Sequence, residues 1–487
     1  MKNPRFILLL VVLAVLTACT GKPFVPIVSS NPWADDYSPV SSMECYKDWG
    51  TYNVHDPSVC RVGDTYYMYS TDAIYHEDRR ESREKNVPLG FIQMRKSTDL
   101  VNWEFVGWVF PEIPAEAVEW VTSLNDGRGA TNVWAPYMLD CGNGKYHLYY
   151  CVSAFGRPTS YIGLAEASSP EGPWIHKGAV VKTDTGSGMN AIDPTLITVD
   201  GKRYMHYGSY FGGLFCVGIN PATGFPLVEG DKGFRVAGRA NYRRDNIEAP
   251  EIIRNPHNGK YYFFSSYDPL TTTYNVRACR SDNPDGPFVD FHGKEMADTT
   301  ANFPLLTSPY RFDGHAGWQG TAHCGVFCDP DGNFYMVHQG RLASDPGMMV
   351  LHLRQMFFTP DGWPVVSPER YAGVGRRVFS QRDLEGEWEV IRLTEPSDEI
   401  RETADAILHS RGNLLDTGWN NSRNLTLARG GDWKFDRSTQ LLSLSIDGDI
   451  VTDLVVHAGH DWERGYDTIL FTGLDKDGRS VWGKRVK

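Results

Sequence analysis

The sequence has no C-x-x-C pair, no stripe of basic residues and no sustained helical periodicity, and past its N-terminus no apolar run approaches membrane-crossing length. Each lack excludes something. Without C-x-x-C, a structural zinc site has no ligand spacing to build on. With no basic stripe and a net charge of −12, neither nucleic acid nor an anionic membrane surface finds a counter-charge. No feature marks an obligate protein partner. Without helical period a helix bundle is excluded. The best helical stretch, PSDEIRETADAILHSRGN at 396–413, makes one turn or a short helix at most.

What the chain has in quantity is turn formers and rings: 48 Gly and 29 Pro in 487 residues, with 13% aromatics. That mixture favours short strands joined by many turns, and the length allows about two or three domains. Lys2 and Arg5 precede an apolar run from Phe6 to Leu16, followed by Leu16-Thr17-Ala18-Cys19. This arrangement resembles a bacterial lipoprotein signal. It implies cleavage before Cys19, a lipid on Cys19 as the sole membrane attachment, and a place in the cell envelope. The outer membrane is the expected site, facing periplasm or exterior. Residues 20–41, rich in Pro and Ser, read as a tether. Of the other eight cysteines, Cys60, Cys151, Cys216, Cys279 and Cys324 lie in or beside apolar strand-like runs and read as small buried hydrophobes.

Five segments share one layout: GDTYYMYS at 63, GKYHLYYCVS at 144, GKRYMHYGSY at 201, GKYYFFSSYD at 259 and GNFYMVHQG at 332. Each is a Gly and one or two polar residues leading into an aromatic-rich strand, the pattern of a tight turn entering the second arm of a hairpin. The intervals of 81, 57, 58 and 73 residues fit one supersecondary unit with loop insertions, at a period that points to a propeller or solenoid. Further strands follow, and the turns Ser169-Pro170-Glu171-Gly172-Pro173-Trp174 and Asn283-Pro284-Asp285-Gly286-Pro287-Phe288 are near copies. Two hairpins make a four-stranded blade, so the reading is an all-β chain with a five-bladed β-propeller over residues 42–375.

Seven to nine residues ahead of each hairpin Gly stand Asp56-Pro57, Trp134-Ala135-Pro136, Asp193-Pro194, Glu248-Ala249-Pro250 and His323-Cys324. Pro lacks a donor and sits where a ladder starts. In a propeller the first strand of each blade lines the channel, so Asp56, Trp134, Asp193, Glu248 and His323 are expected around one mouth. Three carboxyls with a His and an aromatic platform suit glycoside hydrolysis. One acid must be protonated to give a proton to the leaving oxygen, and another ionised to activate water or attack the sugar. Glu251, three residues beyond Glu248, is a rival acid expected to point off the rim.

VHDPSV, NVWAPYM, NAIDPTLI and IEAPEII, in that order, resemble the blade-start motifs of glycoside hydrolase family 43 over roughly residues 42–375. The resemblance implies Asp56 as general base, Asp193 as pKa modulator and Glu248 as general acid, with inversion. Inversion sets an expected carboxyl separation of about 6.5–9.5 Å between base and acid. YGSYFGGLF at 207–215 and FFTPDGWPVVSP at 357–368 are similar to stretches of endo-1,5-α-L-arabinanases, which implies internal cleavage of arabinan. Trp134, Tyr210 and Phe211 are then candidate sugar platforms, and Asn190 and Ser209 candidate hydrogen-bond partners. His323, in GWQGTAHCGVF, is similar to the stretch where arabinanases place a His near a channel calcium (Ca2+), although Ala322 and Cys324 depart from that pattern. DPDGNF at 329–334 reads as a hairpin turn rather than a cation loop.

Residues 376–487 leave the repeat for a new alternating pattern, expected as a small β-barrel or sandwich that supports the propeller or contacts glycan. Two further readings of the whole chain stay open: an exo-acting arabinofuranosidase or xylosidase on the same fold, and a glycan-binding lipoprotein that does not cut.

Overall fold

The computed structural model describes residues 35–239, 245–297, 301–407 and 418–486. The lipoprotein signal and Cys19 lie outside them. Turn residues between aromatic and β-branched runs produce the expected meanders. The first sheet contains β1 (His55–Val62), β2 (Thr65–Thr71), β3 (Phe91–Ser97) and β4 (Glu104–Phe110), antiparallel and in chain order. The second repeats it with β5 (Trp134–Asp140), β6 (Tyr146–Ser153), β7 (Ser160–Ala167) and β8 (Ile175–Thr183). A third has β9 (Thr195–Val199), β10 (Lys202–Tyr207), β11 (Leu214–Ile219) and β12 (Phe234–Ala237), and a fourth has β13 (Ile247–Arg254), β14 (Tyr261–Tyr267) and β15 (Asn275–Ser281). These four sheets are arranged as propeller blades. The two near-copy turns are structural copies too, each with a cis peptide before its Pro, at Gly172-Pro173 and Gly286-Pro287.

The fifth hairpin departs from the simple repeat, because it sits inside a seven-stranded sheet. That sheet contains β16 (Tyr310–Arg311), β17 (Trp318–Gln319), β18 (Gly325–Cys328), β19 (Phe334–Leu342), β20 (Asp345–Phe358) and β21 (Pro364–Val366). Its seventh strand comes from beyond residue 376. β22 (Gly386–Arg392) belongs to the C-terminal sheet, but β23 (Asn420–Asn421) returns to pair in parallel with β16. The C-terminal sheet is completed by β24 (Arg423–Leu427), β25 (Trp433–Asp436), β26 (Leu441–Ile446), β27 (Asp449–Asp461), β28 (Tyr466–Leu474) and β29 (Ser480–Arg485), all antiparallel. Its core is built from Trp388, Leu442, Leu454, Ile469 and Phe471. Around the channel β1 lies beside β5, β5 beside β9, β9 beside β13 and β13 beside β18, and β18 lies beside β1.

Three expectations need correction. Residues 35–41 are not tether: Tyr37 and Val40 are buried in the core with Trp49 and Tyr52, and Asp35 pairs with Arg370. Helix is more frequent than the sequence suggested. Besides the short helix Asp398–Ile407, the helices Arg79–Glu84 and Ala115–Ser123 fill insertions between strands. Cys60 is half-buried, whereas Cys151, Cys216, Cys279 and Cys324 are buried as expected, and all eight cysteines of the described residues are free thiols. No helix among the described residues is long and apolar enough to cross a membrane.

Candidate active site

The Asp-Pro repeat marks a backbone feature. Asp56, Ala135, Asp193, Ala249 and His323 all take left-handed φ, at 51°, 41°, 57°, 53° and 54°. In β1, β5 and β13 the pairing skips two residues at this point, between His55 and Ser58, Trp134 and Tyr137, and Glu248 and Glu251. Left-handed φ is uncommon outside Gly, and the Pro that follows four of the five cannot donate to a ladder. Each bulge therefore breaks the strand at the channel mouth. The equivalent residues are those five, so Trp134 and Glu248 stand one residue earlier in the repeat than Asp56 and Asp193.

Asp56 is buried. Its Oδ1 lies 2.8 Å from His323 Nδ1 and 2.6 Å from His55 Nδ1, while Oδ2 accepts Thr71 Oγ1 at 2.8 Å. Thr71, closing β2, also accepts the Ala135 N–H at 2.9 Å and so ties the first bulge to the second. Asp193 Oδ2 accepts the Ala249 N–H at 3.2 Å, and the Asp193 N–H donates to Cys151 Sγ at 3.2 Å. Glu248 accepts Ser209 Oγ at 2.7 Å on Oε2 and Tyr274 Oη at 2.6 Å on Oε1. His323 is fixed by its own N–H on Ser266 Oγ at 2.9 Å.

The electrostatics separate the acids. Burial would raise the Asp56 carboxyl, but His323 and then His55 hold it well below 3.8. Burial opposes charge on His323, yet Asp56, Asp193 and Glu248 raise it to about 9. Burial keeps His55 on the neutral side. Asp193 is pushed well above 3.8 by burial, against the attraction of His323 and with the repulsion of Glu248 and Asp56. Glu248 is also raised by burial, which outweighs the hydrogen bonds from Tyr274 and Ser209. The site thus holds a carboxylate drawn toward its ionised form beside an imidazolium and, within the same field, two carboxyls pushed toward their protonated forms. That split is the arrangement by which acid and base catalysis coexist at one pH.

Of the four residues expected around one mouth, Asp56 and His323 are in direct contact, and Asp193 and Glu248 lie within the electrostatic field of both. Ser209 Oγ donates to Glu248, and Asn190 Oδ1 accepts Ser160 Oγ at 2.5 Å. Trp134, Tyr210 and Phe211 keep part of their surface exposed. Glu251 reaches the adjacent blade, accepting Thr195 Oγ1 of β9 at 3.0 Å and the Ile252 N–H at 2.9 Å, with burial raising it to about 8. Thr71, Tyr274, His55, Cys151 and Ser266 were missed, and no motif announces them. Asp329 caps the 329–333 turn by accepting the Asn333 N–H at 2.8 Å, as a hairpin turn should.

A channel calcium meets a poor donor set. Calcium takes about six to eight oxygens, but His323 Nδ1 is already on Asp56, and neighbours Ala322 and Cys324 bring no side-chain oxygen. The residues at His323 do not fit calcium held directly by protein. Elsewhere among the described residues, Glu369, Asp461 and Glu463 group their oxygens closely, but Lys484 occupies that space, with its Nζ 2.8 Å from Glu369 and 3.1 Å from Asp461.

Carboxyls with opposed protonation, gathered at the mouth of a ring of β-blades, define a glycosidase. Residues 50–364 match the family model for glycosyl hydrolases family 43, and residues 368–483 match that of a C-terminal lipocalin-like domain. The chain belongs to glycosyl hydrolase family 43. It is 30% identical over 481 residues to the extracellular endo-α-(1→5)-L-arabinanase of Thermotoga petrophila, spanning 89% of this chain and 94% of that one. The crystal structure of the endo-1,5-α-L-arabinanase from Thermotoga petrophila RKU-1 superposes with a TM-score of 0.73 at 26% identity, over 90% of this chain and 99% of the other. An extracellular exo-α-(1→5)-L-arabinofuranosidase of Cellvibrio japonicus is 30% identical over 333 residues, spanning 64% of this chain and 86% of that one.

Proposed function

We propose that the protein is an endo-acting, inverting α-1,5-L-arabinanase working on a five-bladed propeller, with its fifth blade within the β17 to β21 portion of the mixed sheet. The neighbouring of β18 with both β13 and β1 supports that count. In this reading Glu248 protonates the leaving glycosidic oxygen while Asp56 takes a proton from the water that attacks the anomeric carbon from the opposite face. Water adds to that carbon, the exocyclic C–O bond breaks, and Asp56 ends protonated and Glu248 ionised. Asp193 and His323 set the charge around both. Trp134, Tyr210 and Phe211 offer partly exposed rings for sugars on the two sides of the break.

The observation that carries the proposal is the His323-centred cluster, in which His323 draws Asp56 toward the ionised form while burial pushes Glu248 toward the protonated one, with its oxygens held by Ser209 and Tyr274. Endo action draws support from relatives. The endo-arabinanase from Thermotoga petrophila matches through both domains, whereas the exo enzyme from Cellvibrio japonicus matches over 64% of the chain. The relatives' names call them extracellular, in keeping with export, and the Leu16-Thr17-Ala18-Cys19 signal supports lipid anchoring of Cys19 at the outer surface of a bacterial envelope.

Incubation with debranched linear arabinan, branched arabinan and xylan, followed by product sizing, tests the assignment. Mixed arabino-oligomers should appear first from debranched arabinan; arabinose alone from the earliest times would refute internal cleavage. Glu248→Gln should lower kcat by roughly a thousandfold or more while substrate binding persists, because the acid is lost and the shape kept. Wild-type-like turnover in that variant would move the acid role to another residue.

A further inference from the structure

The loop 268–274, between β14 and β15, delivers Tyr274 to Glu248 and is pinned at its base by charge. Asp268 is buried with left-handed φ of 70°. Its Oδ1 accepts Arg239 Nη1 at 2.8 Å and its Oδ2 accepts Asn275 Nδ2 at 2.9 Å. The same Asn275 amide donates to Thr273 O at 3.0 Å and Tyr267 O at 3.2 Å, closing the loop on itself. Two more contacts arrive from the C-terminal region. Arg401 Nε, on the helix Asp398–Ile407, lies 3.3 Å from Asp268 Oδ1. Glu395 Oε1 accepts Arg277 Nη1 at 2.6 Å, and Arg277 Nε donates to Asn275 Oδ1 at 2.9 Å. Both ends of the Asn275 amide are therefore held, one through Asp268 and its ion pair with Arg401 and one through Arg277 hydrogen-bonded to Glu395, and the next residue back is Tyr274.

We propose that Arg401 and Glu395 are positioning residues for the reaction: the C-terminal domain clamps the base of the 268–274 loop and thereby fixes the Tyr274 hydroxyl on the catalytic acid. The proposal rests on the reading of Glu248 as that acid. The physical need is plain. A donor that steadies an acid must be held within about half an ångström of its mark, and a loop alone does this poorly. Here the loop borrows rigidity from a second domain through buried ion pairs. Asp268 keeps Arg239 and Arg277 as cationic neighbours when Arg401 is removed, so its charge stays compensated. Glu248 itself faces Tyr274, Ser209, His323, Asp56 and Asp193, and none of these is altered by a substitution at 401.

The test compares full-length wild type, Arg401→Met, Tyr274→Phe and the double variant on debranched arabinan, measuring kcat, KM and the pH profile of kcat/KM. The phenolic O–H favours the ionised form of Glu248, so its loss raises the acid's pKa and moves the alkaline limb to higher pH, by about one unit. Tyr274→Phe should also lower kcat about tenfold with KM within about twofold, as expected of a group that acts in the chemical step. Arg401→Met should move the limb in the same direction and add nothing in the Tyr274→Phe background, and Arg401→Lys should recover most of the loss. If Arg401→Met does not fold, Glu395→Gln carries the same comparison. An equal shift from Arg401→Met in both backgrounds would make the effect a direct charge effect and overturn the proposal. So would a lowered Tm with an unmoved kcat and pH profile. Wild-type turnover with unaltered variants overturns this inference alone, whereas a wild type inactive on every arabinan overturns the functional reading and this inference with it.

Discussion

His323 governs protonation at the centre of the site. Raised to about 9 from 6.5 by Asp56, Asp193 and Glu248, it remains a cation at neutral pH and keeps Asp56 ionised well below 3.8. The stability it contributes is complete below its ordinary 6.5 and fades as pH rises toward about 9, while that of Asp56 is complete above 3.8 and fades in acid. The pair therefore supports the fold most between those two ordinary values. Replacing His323 with Gln removes the cation, so Asp56 must protonate at higher pH. The acid limb of kcat/KM should move up by about one unit or more, with the largest loss of activity on the acid side. A pH-rate series on debranched arabinan reads this, and an unmoved limb would refute the pairing. Asp56, Asp193 and Glu248 were legible because each sits in a short motif beside a Pro. Thr71 and Tyr274 were not. A hydroxyl that reaches a catalytic carboxyl from a strand end or a loop has no local pattern, and only the closed ring brings it there.

The strand-level counterpart is the left-handed residue before each Pro, which makes a bulge in β1, β5 and β13. Alternation along a strand was readable, as was the Gly that opens every hairpin, so the blades could be drawn from the sequence. The left-handed turn of Asp56, Ala135, Asp193, Ala249 and His323 could not, because it belongs to the backbone and five different side-chain environments share it. The loop after β10 shows a related constraint. Gly213 has φ +92°, and a Cβ there would lie 2.2 Å from Ala237 O, while one on Gly212 would lie 2.1 Å from Gly188 O. Only glycine allows the loop to pass this close to its neighbours, and Ser209, at its start, depends on that path to reach Glu248. Gly213→Ala should cost about 2 kcal/mol or more and reduce kcat, whereas Gly63→Ala, with φ +61° and nothing within 4 Å, should cost only the backbone penalty of about 1 kcal/mol. Thermal melts and turnover of the two variants check the contrast. Equal losses would mean that close approach is not what requires the glycine.

At the scale of the whole chain, the two domains meet at a buried charge cluster that neither domain pattern revealed. Lys484 Nζ, fully buried in β29, lies 2.8 Å from Glu369, 3.1 Å from Asp461 and against Glu463, with the ring of Phe312 4.0 Å away. Phe312 comes from the propeller, Glu369 from the segment where the match to the C-terminal domain begins at residue 368, and Lys484, Asp461 and Glu463 from the C-terminal sheet and its turn. The sequence divides at about residue 375 because the alternating pattern changes there, but charged residues far apart in the chain carry no sign of meeting across a boundary. The same blindness hid the burial of Tyr37 in what read as tether, and the return of β23 to the propeller's mixed sheet. Burial and the neighbouring Glu463 push Glu369 well above 4.5, whereas Lys484 overcomes burial to hold Glu463 below it. Lys484→Met removes the cation and strands the carboxyls in a dry interface, at a cost of about 3–5 kcal/mol. Tm at pH 7 should fall accordingly. The lysine's contribution through Glu463 is present above the ordinary 4.5 and is lost as pH falls, because the carboxyl then protonates in both proteins. The gap in Tm between wild type and Lys484→Met should thus be widest near neutrality and narrow steadily in acid. A gap independent of pH would assign Lys484 a packing role, through its stem against Phe312, and remove charge from the account of how the domains are joined.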